Sequence, residues 1–434
     1  MVMDLYSIAI LFFSIIIVLK SYNEVGMLDV LFPLSEQFLE LQYRPYIRYF
    51  IKQHTFEHRF TIIRGERGVG KSTVLVQLLR GLNLSARQIL YVPVDHFLVK
   101  NFSLYEIAEA FAQQGGLCIC FDEIHKYANW SQELKSIYDT FPKLRMFASG
   151  SSALAIHSGS HDLSRRAIVY TMQGMSFREY LELWHNITFS SISFEDILSG
   201  HEKFSAHIVK TISAASLNIL PLFGEYIKYG YYPYSIEFPD KNIFYLTVEQ
   251  NLHTVLESDL PAIYPTLSGA SVDKMKRLLA FLSTHVPFTV DLKELKTILE
   301  IADERTLKQY MKIIEEAGII IALHKNDKKI DGLKKADKIY PENTCQLFAL
   351  SGRQSIDKGT LREVFFISML KTQYSIHLPL IGDFLVDRKY TFEVGGKNKD
   401  FQQIKNIQHA YLTVDDIEQG FRNKIPLWIW GFLY

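Results

Sequence analysis

A glycine-rich run near residue 65 has the spacing of a loop that binds phosphate groups. Its residues are Gly65, Glu66, Arg67, Gly68, Val69, Gly70, Lys71 and Ser72, followed by Thr73. The pattern G-x-x-x-x-G-K-[ST] lets backbone N–H groups point at an anion, and here it connects a short β-branched run to a helical segment. We expect Lys71 to contact the β- and γ-phosphates of ATP and the Ser72 hydroxyl to ligate Mg²⁺, with Thr73 beside it.

A second run supplies two carboxylates. Residues 117–121 are apolar, as in a strand buried on both faces of a parallel sheet, and Asp122 and Glu123 follow directly. Because open α/β sheets bind ligands beyond the carboxyl ends of their strands, we expect this pair near the phosphate loop. Asp122 would hold Mg²⁺ together with Ser72, and Glu123 would orient and polarise the attacking water. An acidic pair of this kind favours hydrolysis of the nucleotide over its storage.

Two further polar positions lie next to predicted strands of the same sheet, one at the end of a strand and one before a strand. Ser149 ends the predicted strand 143–149, where a hydroxyl can touch the γ-phosphate; Ser151 is the other candidate, and a simple turn is the alternative. Arg165 and Arg166 precede another strand. Arg166 is a candidate arginine finger that acts on the nucleotide of a neighbouring copy, which would require a homo-oligomer. A pair of surface arginines is the alternative.

With these motifs the sequence resembles the bacterial and archaeal AAA+-type P-loop ATPases that carry a long C-terminal region. The motifs are GERGVGKST (65–73), FDEIHKYANW (121–130), FASGSSAL (147–154) and LSRRAIVYTMQGMSFREYLEL (163–183). The first motif is generic for P-loop proteins, whereas the set of four is specific, and the similarity runs from about Leu28 to the end. The resemblance implies Walker A, Walker B and sensor roles for the residues above. It also implies a nuclease-like C-terminal region, but no activity for it.

The elements that position these residues divide the chain into five predicted segments. They are an apolar N-terminal segment and lead-in (1–34), a P-loop ATPase domain (35–185), a helical lid (186–280), a winged helix (281–350) and a nuclease-like domain (351–434). The predicted fold class is α/β, with an AAA+-like parallel sheet as its core, a helical lid, a winged helix-turn-helix and a small α/β C-terminal domain.

The sequence predicts a winged helix but does not decide whether it binds DNA or a protein. A capping box begins at Asp291, a second amphipathic helix covers about 304–317, and a short strand and a lysine-rich loop (324–338) follow. The outward residues of the second helix include Arg305, Lys308 and Lys312, together with Glu304, Glu315 and Glu316. The basic residues suit DNA, but carboxylates on the same helix weaken a phosphate-binding surface. DNA contact and docking of an unknown protein are therefore both considered.

The last segment contains three carboxylates and a lysine in the order typical of PD-(D/E)xK nucleases. Glu363 lies in a predicted helix, Asp383 and Glu393 end predicted strands, and Lys397 follows. The carboxylates would bind Mg²⁺, and the lysine would activate water or stabilise the phosphorane. The usual E-x-K is stretched to E-x-G-G-K, so Lys397 comes two residues late. Both an active second site and a degenerate domain without cleavage fit this pattern.

Composition restricts the class of protein. Of 434 residues, 48% are hydrophobic and 22% are charged, which is typical of globular chains rather than disordered ones. Lys plus Arg and Asp plus Glu both number 47, so no overall basic field attracts nucleic acid and any such contact needs a local patch. The three cysteines form no CxxC pair, which fits a reducing compartment. We therefore expect a cytoplasmic protein.

The first twenty residues differ from the rest. Residues 5–19 carry no charge, and as a helix they would span about 22 Å, short of the roughly 30 Å hydrocarbon core of a bilayer. Three interpretations compete: a short membrane anchor, an upstream extension with translation starting near Met27, and a buried helix. Membrane association is expected only if the first applies.

These observations together predict Mg²⁺-dependent ATP binding and hydrolysis that drives a conformational change in the C-terminal half. One alternative is a nucleic-acid-binding protein or nuclease whose activity ATP gates. Another is a non-catalytic nucleotide switch in signalling or defence. The sequence names neither the process nor the partner.

Overall fold

The computed structural model describes residues 26–150, 163–284, 288–289, 292–301, 303–325, 337–351 and 356–434. The predictions for the apolar segment before residue 26, for Ser151 and for most of the lysine-rich loop lie outside these residues. Within them, no single helix has the length and composition to cross a membrane; one pair, Phe194–Ala214 and Ile219–Gly230, meets the criterion only when joined across a 90° bend.

The first part of the chain forms a five-stranded parallel sheet. Its strands are β1 (Phe60–Arg64), β2 (Ile89–Pro93), β3 (Cys118–Asp122), β4 (Arg145–Gly150) and β5 (Ile168–Thr171), in the order β2-β3-β4-β1-β5. Helices around it are α1 (Met27–Leu41), α2 (Tyr49–Gln53), α3 (Lys71–Arg80), α4 (Leu104–Gln113) and α5 (Trp130–Thr140). The prediction of an α/β chain with a parallel sheet at its core is confirmed.

Both faces of this sheet are buried, because alternate residues of each strand enter different clusters. In β3, Ile119 and Phe121 pack in a cluster with α1 and α4, whereas Cys118 and Cys120 pack on the opposite face with α3. Two of the three cysteines are thus core residues. Helix α1 packs on β2 and crosses the predicted boundary at residue 35.

A helical region follows the sheet. It contains α6 (Phe177–His185), α7 (Phe194–Ala214), α8 (Ile219–Glu225), α9 (Lys241–Thr254), α10 (Leu260–Ile263) and α11 (Gly269–Thr284). Two π-helical turns, Tyr226–Gly230 and Val255–Asp259, continue α8 and α9. Ser176 and Glu179 form a capping box at the start of α6, which explains where that helix begins.

A small antiparallel sheet comes next, in the order β6-β8-β7. Its strands are β6 (Phe288–Thr289), β7 (Ile320–Leu323) and β8 (Lys338–Pro341), and α12 (Leu292–Ile298) and α13 (Glu304–Glu316) lie between β6 and β7. The buried residues of α13 include Leu307, Tyr310 and Ile314, as the amphipathic pattern predicts.

The C-terminal part is a mixed five-stranded sheet with one long helix. After α14 (Thr344–Leu350) and α15 (Lys358–Leu370) come β9 (Ile376–His377), β10 (Phe384–Val386), β11 (Tyr390–Gly395), β12 (Ala410–Val414) and β13 (Lys424–Pro426). The strand order is β13-β12-β11-β10-β9; β11, β12 and β13 are parallel, and β9 and β10 are antiparallel. Phe366, Phe392 and Trp430 pack ring against ring between α15 and the sheet.

Candidate functional site

The glycine-rich loop connects the end of β1 to the first residue of α3. Gly68 and Gly70 have φ of 88° and 99°, a backbone region that other residues rarely adopt. A Cβ on Gly68 would also lie 2.5 Å from the ring of Tyr234. The loop therefore needs glycine for its shape and for the approach of the helical region, and it opens onto the positive end of the α3 dipole.

Lys71 is buried at the base of this loop. Its ammonium donates to the carbonyl oxygens of Gly65 at 3.0 Å and of Glu66 at 2.8 Å. Burial lowers the pKa of Lys71, and the carboxylates of Glu123 and Asp122 oppose that shift. Lys71 is thus hydrogen-bonded to the loop and lies within electrostatic reach of the acidic pair, whereas its contact with phosphates stays a prediction.

Asp122, at the end of β3, accepts hydrogen bonds from three hydroxyl groups. Ser72 donates to its Oδ2 at 2.7 Å. Tyr91 also donates to Oδ2, and Ser149 donates to Oδ1. Parallel pairing of β2, β3 and β4 brings Tyr91 and Ser149 beside the acid. These bonds fix the carboxylate at the start of α3.

Glu123 has a backbone conformation unusual for a non-glycine residue, with φ of 59°. Its backbone N–H donates to Ser149 Oγ at 3.1 Å. Its side chain is 22% exposed, and one carboxylate oxygen lies 3.5 Å from Nε2 of the buried His125. The strained turn at the end of β3 therefore leaves the Glu123 carboxylate partly exposed and next to His125.

Ser72 and Asp122 supply a hydroxyl and a carboxylate oxygen, which are ligands that Mg²⁺ prefers. Mg²⁺ commonly takes one or two protein ligands and completes its shell with water and substrate phosphate oxygens, so the pair fits this ion. In the described part of the chain, no group of three or more His, Cys, Asp or Glu side chains is arranged to hold a metal ion. A metal site formed by protein side chains alone is thus not found there.

A buried carboxylate of the helical region contacts the loop and the segment after β3. Asp259 is fully buried and forms ion pairs with Lys126 and with His125, whose Nε2 lies 3.7 Å away. A guanidinium nitrogen of Arg67 lies 3.9 Å from it. Burial would raise the pKa of Asp259, but hydrogen bonds from His125 and Lys126 outweigh it and lower the pKa to about 2. Asp259 is therefore charged at neutral pH and links three basic residues of the site.

Glu66 connects the loop to the C-terminal half. Its carboxylate accepts hydrogen bonds from Tyr231 at 2.7 Å and Tyr232 at 2.9 Å. Asn343 and Gln346 donate to the same group at 3.2 and 3.3 Å. Burial raises the pKa of Glu66, and other groups, nearby Lys371 among them, offset only part of the rise. Lys371 in turn pairs with Glu342.

Arg48 connects the glycine-rich loop to helix α6 through buried hydrogen bonds. It forms two hydrogen bonds with the carboxylate of Glu179, at 2.7 and 2.9 Å, and donates to the carbonyl oxygen of Val69 at 2.8 Å. Arg48 is 4% exposed and Glu179 is fully buried. No sequence pattern indicates a role for Arg48, Tyr91 or Asp259, because each is a single polar residue in an otherwise ordinary segment.

Arg166 does not join this cluster within the chain. It precedes β5, whose Ile168 pairs with Thr61 of β1, whereas the phosphate loop follows Arg64 at the other end of β1. With a rise of about 3.3 Å per residue, Arg166 lies more than about 10 Å from the loop edge of the sheet. It forms a two-point ion pair with Asp139 at 2.8 Å. Its role on a neighbouring copy stays a prediction.

The second group of carboxylates differs from the prediction in two respects. Asp383 precedes β10 instead of ending a strand, because Gly382 turns the chain with φ of 97°. The lysine beside Glu393 is Lys399, at 2.5 Å, and not Lys397, which accepts a hydrogen bond from Lys424 through its backbone oxygen. Glu363 accepts a 2.6 Å hydrogen bond from Tyr340.

These three carboxylates influence one another. Burial raises the pKa of Glu363 and of Glu393, and the negative charge of Asp383 adds to both shifts. The side-chain hydrogen bond with Glu393 raises the pKa of Lys399. The fold therefore brings carboxylates that are up to 30 residues apart in sequence together beside β11, the central strand of the C-terminal sheet.

Comparisons with known proteins agree with the first site. Residues 57–181 match the family described as an AAA domain, and residues 220–356 match a domain of unknown function, DUF8612. The uncharacterized protein MJ1637 of Methanocaldococcus jannaschii is 26% identical over 291 residues, which are 64% of this chain and 59% of that protein. The match thus spans less than two thirds of that relative's length.

Among solved structures, the Walker-type ATPase PABY2304 of Pyrococcus abyssi aligns over 69% of this chain and 93% of its own, with 10% identity and a TM-score of 0.37. A likeness at that level carries no argument about function. The residues that match the AAA domain family include the whole parallel sheet and the glycine-rich loop at the start of α3, so this part of the chain is similar to AAA-type domains in sequence and contains the loop expected of a P-loop protein.

Proposed function

We propose that this protein binds ATP at the glycine-rich loop and hydrolyses it with Mg²⁺. The observation that carries the proposal is the 2.7 Å hydrogen bond between Ser72 of the loop and Asp122 at the end of β3. It joins the hydroxyl and the acid that nucleotide hydrolysis needs, next to the buried ammonium of Lys71. The match to an AAA domain over the same residues supports it.

Each residue then has a distinct role. The loop N–H groups and Lys71 bind the phosphates, and Ser72 and Asp122 hold Mg²⁺, which would neutralise charge that develops on the phosphate oxygens. Glu123 orients the attacking water. Ser149 donates to Asp122 and accepts from the N–H of Glu123, so it couples the metal-binding acid to the base.

A conformational change on hydrolysis is the second part of the proposal. Asp259 and Tyr234 of the helical region contact the loop and the segment after β3. Glu66 extends the contacts to Asn343 and Gln346, and a cavity of about 560 Å³ beside it gives this network room to move. Loss of the γ-phosphate would shift the loop and, through these bonds, the C-terminal half.

The first test is the substitution Lys71→Ala in the full chain. We expect ATP affinity to fall about 10- to 150-fold, because the lysine supplies charged hydrogen bonds worth about 1.5–3 kcal/mol. Calorimetric titration and a phosphate-release assay measure binding and turnover. Lys52→Ala, which removes a half-exposed lysine, is the control and should leave both unchanged. Equal ATP affinity in the two variants would contradict the proposal.

A role for Arg166 on a neighbouring copy predicts rescue between variants. We expect Arg166→Ala to lower hydrolysis, by up to about 10³-fold if it contacts the neighbour's γ-phosphate. Mixing Arg166→Ala with Lys71→Ala should restore part of the activity, because each mixed interface can combine an intact loop with an intact arginine. Asp139→Ala, which removes the partner of Arg166 but keeps the arginine, should retain hydrolysis. No rescue at any mixing ratio would indicate a structural role.

We also propose that the segment 281–350 forms the predicted winged helix, with α11 leading into it. The order α11, β6, α12, α13, β7, β8 and the antiparallel sheet support it. Arg305 and Lys312 of α13 are exposed and offer a local basic surface, although Lys312 lies 3.7 Å from Glu316. DNA and an unknown protein partner both stay candidates for this surface. The helix–sheet order from α15 to β13 supports a nuclease-like architecture in the same way.

A further inference from the structure

Gly395 and Lys399 share one space beside Glu393. Gly395 comes two residues after Glu393 in β11, so both point to the same face of the strand. A Cβ on Gly395 would lie 2.7 Å from Cβ and Cγ of Lys399. The stem of Lys399 therefore fills the volume that a side chain at 395 would take, and its ammonium ends 2.5 Å from Glu393 Oε1. A lysine thus reaches Glu393 from the position where the lysine of an E-x-K sequence would start.

Glu393 carries an unsatisfied oxygen. Its side chain is 2% exposed, and Oε1 pairs with Lys399. Its other oxygen, Oε2, is buried and has no hydrogen-bond partner among the residues that the structure describes. A buried carboxylate oxygen without a partner costs free energy, which a cation at this oxygen would offset.

Asp383 is held next to Glu393 by two hydrogen bonds to the backbone of β11. Its backbone N–H donates to Phe392 at 2.9 Å, and its Oδ2 accepts from the N–H of Val394 at 2.8 Å. Asp383 is therefore bound to the residues on either side of Glu393 in β11. Two carboxylates held this way supply as many protein ligands as Mg²⁺ commonly takes, with water and substrate phosphate oxygens completing its shell.

We propose that Asp383 and Glu393 bind a divalent cation, and that Lys399, not Lys397, is the lysine of a site that hydrolyses phosphodiester bonds of nucleic acid. The oxygen of a water molecule forms a bond to phosphorus, and the bond from phosphorus to one sugar oxygen breaks. The water loses a proton to solvent and the sugar oxygen gains one, so the products are a phosphomonoester and a hydroxyl. Lys399 is charged and stabilises the negative charge on the phosphorane.

The surroundings favour a polyanionic substrate over a single nucleotide. Lys338 lies 3.9 Å from Glu363, and Lys424 lies against the backbone of residue 397. The basic residues Arg305 and Lys312 are exposed on α13, which precedes this sheet. Lysines that flank a carboxylate site give a negatively charged backbone a path to the cation. This site is separate from the glycine-rich loop, so it does not depend on ATP hydrolysis.

Cation binding is tested first, with Mn²⁺ and full-length protein free of nucleotide. Electron paramagnetic resonance titration should find a Mn²⁺ site, distinct from any at Ser72 and Asp122, that Asp383→Asn and Glu393→Gln each weaken at least tenfold. Ser72→Ala, which alters the other proposed metal site, should keep it. Thermal melting identifies any variant that fails to fold, and the other carboxylate variant then decides the result. Equal Mn²⁺ binding in the wild type and in a folded carboxylate variant would overturn the proposal.

The lysine is tested by cleavage of end-labelled single- and double-stranded DNA and RNA in Mn²⁺, with and without ATP. Lys399→Ala should lose about 10²-fold or more in rate, as expected for a group that stabilises transition-state charge. Lys397→Ala should remain at least tenfold faster than Lys399→Ala. The double substitution Lys399→Gly, Gly395→Lys should restore cleavage, because the new lysine enters the vacated space.

ATP hydrolysis by the same preparations separates this proposal from the first. Lys399→Ala should hydrolyse ATP like the wild type, since Lys399 does not contact the glycine-rich loop. If the wild type cleaves none of the four substrates, or if Lys397→Ala is the inactive variant, the assignment is wrong whatever the ATPase result. Cleavage of nucleic acid by a preparation that does not hydrolyse ATP would support the second site. It would contradict only the proposed hydrolysis of ATP at the glycine-rich loop.

Discussion

Replacing Glu123 by Gln is expected to leave ATP binding intact and to lower turnover about 10²- to 10⁴-fold, the usual contribution of a positioned general base. The phosphate-binding groups are untouched, because the loop, Lys71 and Ser72 do not depend on the Glu123 side chain. The amide keeps the shape of the carboxylate but cannot accept a proton from water. Single-turnover hydrolysis of labelled ATP and equilibrium binding measure the two effects separately.

The control for this change is Glu40→Gln, the same substitution at an exposed position of α1. It should change neither binding nor turnover. His125 lies 3.5 Å from Glu123 and also pairs with Asp259, so Glu123→Gln is expected to weaken the contact between β3 and the helical region as well. Hydrolysis at the wild-type rate in Glu123→Gln would remove Glu123 from the reaction.

The first site could be predicted because it obeys rules that act along the chain. A glycine pattern forms a loop wherever it occurs between a strand and a helix, and parallel strands end at one edge of a sheet. From those two rules the sequence places Lys71, Ser72 and Asp122 together, and the structure brings Ser72 and Asp122 to 2.7 Å. The catalytic roles of these residues stay predictions.

Other features could not be predicted, because they depend on contacts between distant segments. Asp259 reaches Lys126 across 133 residues, and Arg48 reaches Glu179 across 131. Neither residue belongs to a spacing pattern. Sequence spacing from Glu393 predicts Lys397 as the lysine of the second site, whereas the turn after Gly395 brings Lys399 back to Glu393. Once a chain reverses direction, the separation of two residues in sequence no longer indicates whether they are close in space.

Replacing Arg48 by Met is expected to destabilise the P-loop domain by about 3–5 kcal/mol, because it leaves the carboxylate of Glu179 buried and unpaired. The pair is almost completely buried, with exposures of 4% and 0%. Arg48 also donates to Val69 in the loop and to Gln173 and Gly174 before α6, so these carbonyl oxygens lose their donor. The thermal midpoint should fall by roughly 6–20 °C.

Three further variants separate the effect of the buried charge on stability from other effects of the substitution: Arg166→Met, Glu179→Gln and the double variant Arg48→Met, Glu179→Gln. Arg166→Met breaks an ion pair that is partly exposed, with side-chain exposures of 27% and 47%, and should destabilise the protein far less than Arg48→Met does. Adding Glu179→Gln to Arg48→Met should cost less than the sum of the two single changes, because the amide removes the uncompensated charge and still accepts the N–H of Tyr49, which donates to Glu179 at 2.9 Å. Urea unfolding of the wild type, Arg48→Met, Glu179→Gln and the double variant gives the coupling energy between the two residues. If Arg48→Met destabilised the protein no more than Arg166→Met, the buried pair would not be what holds the loop on α6.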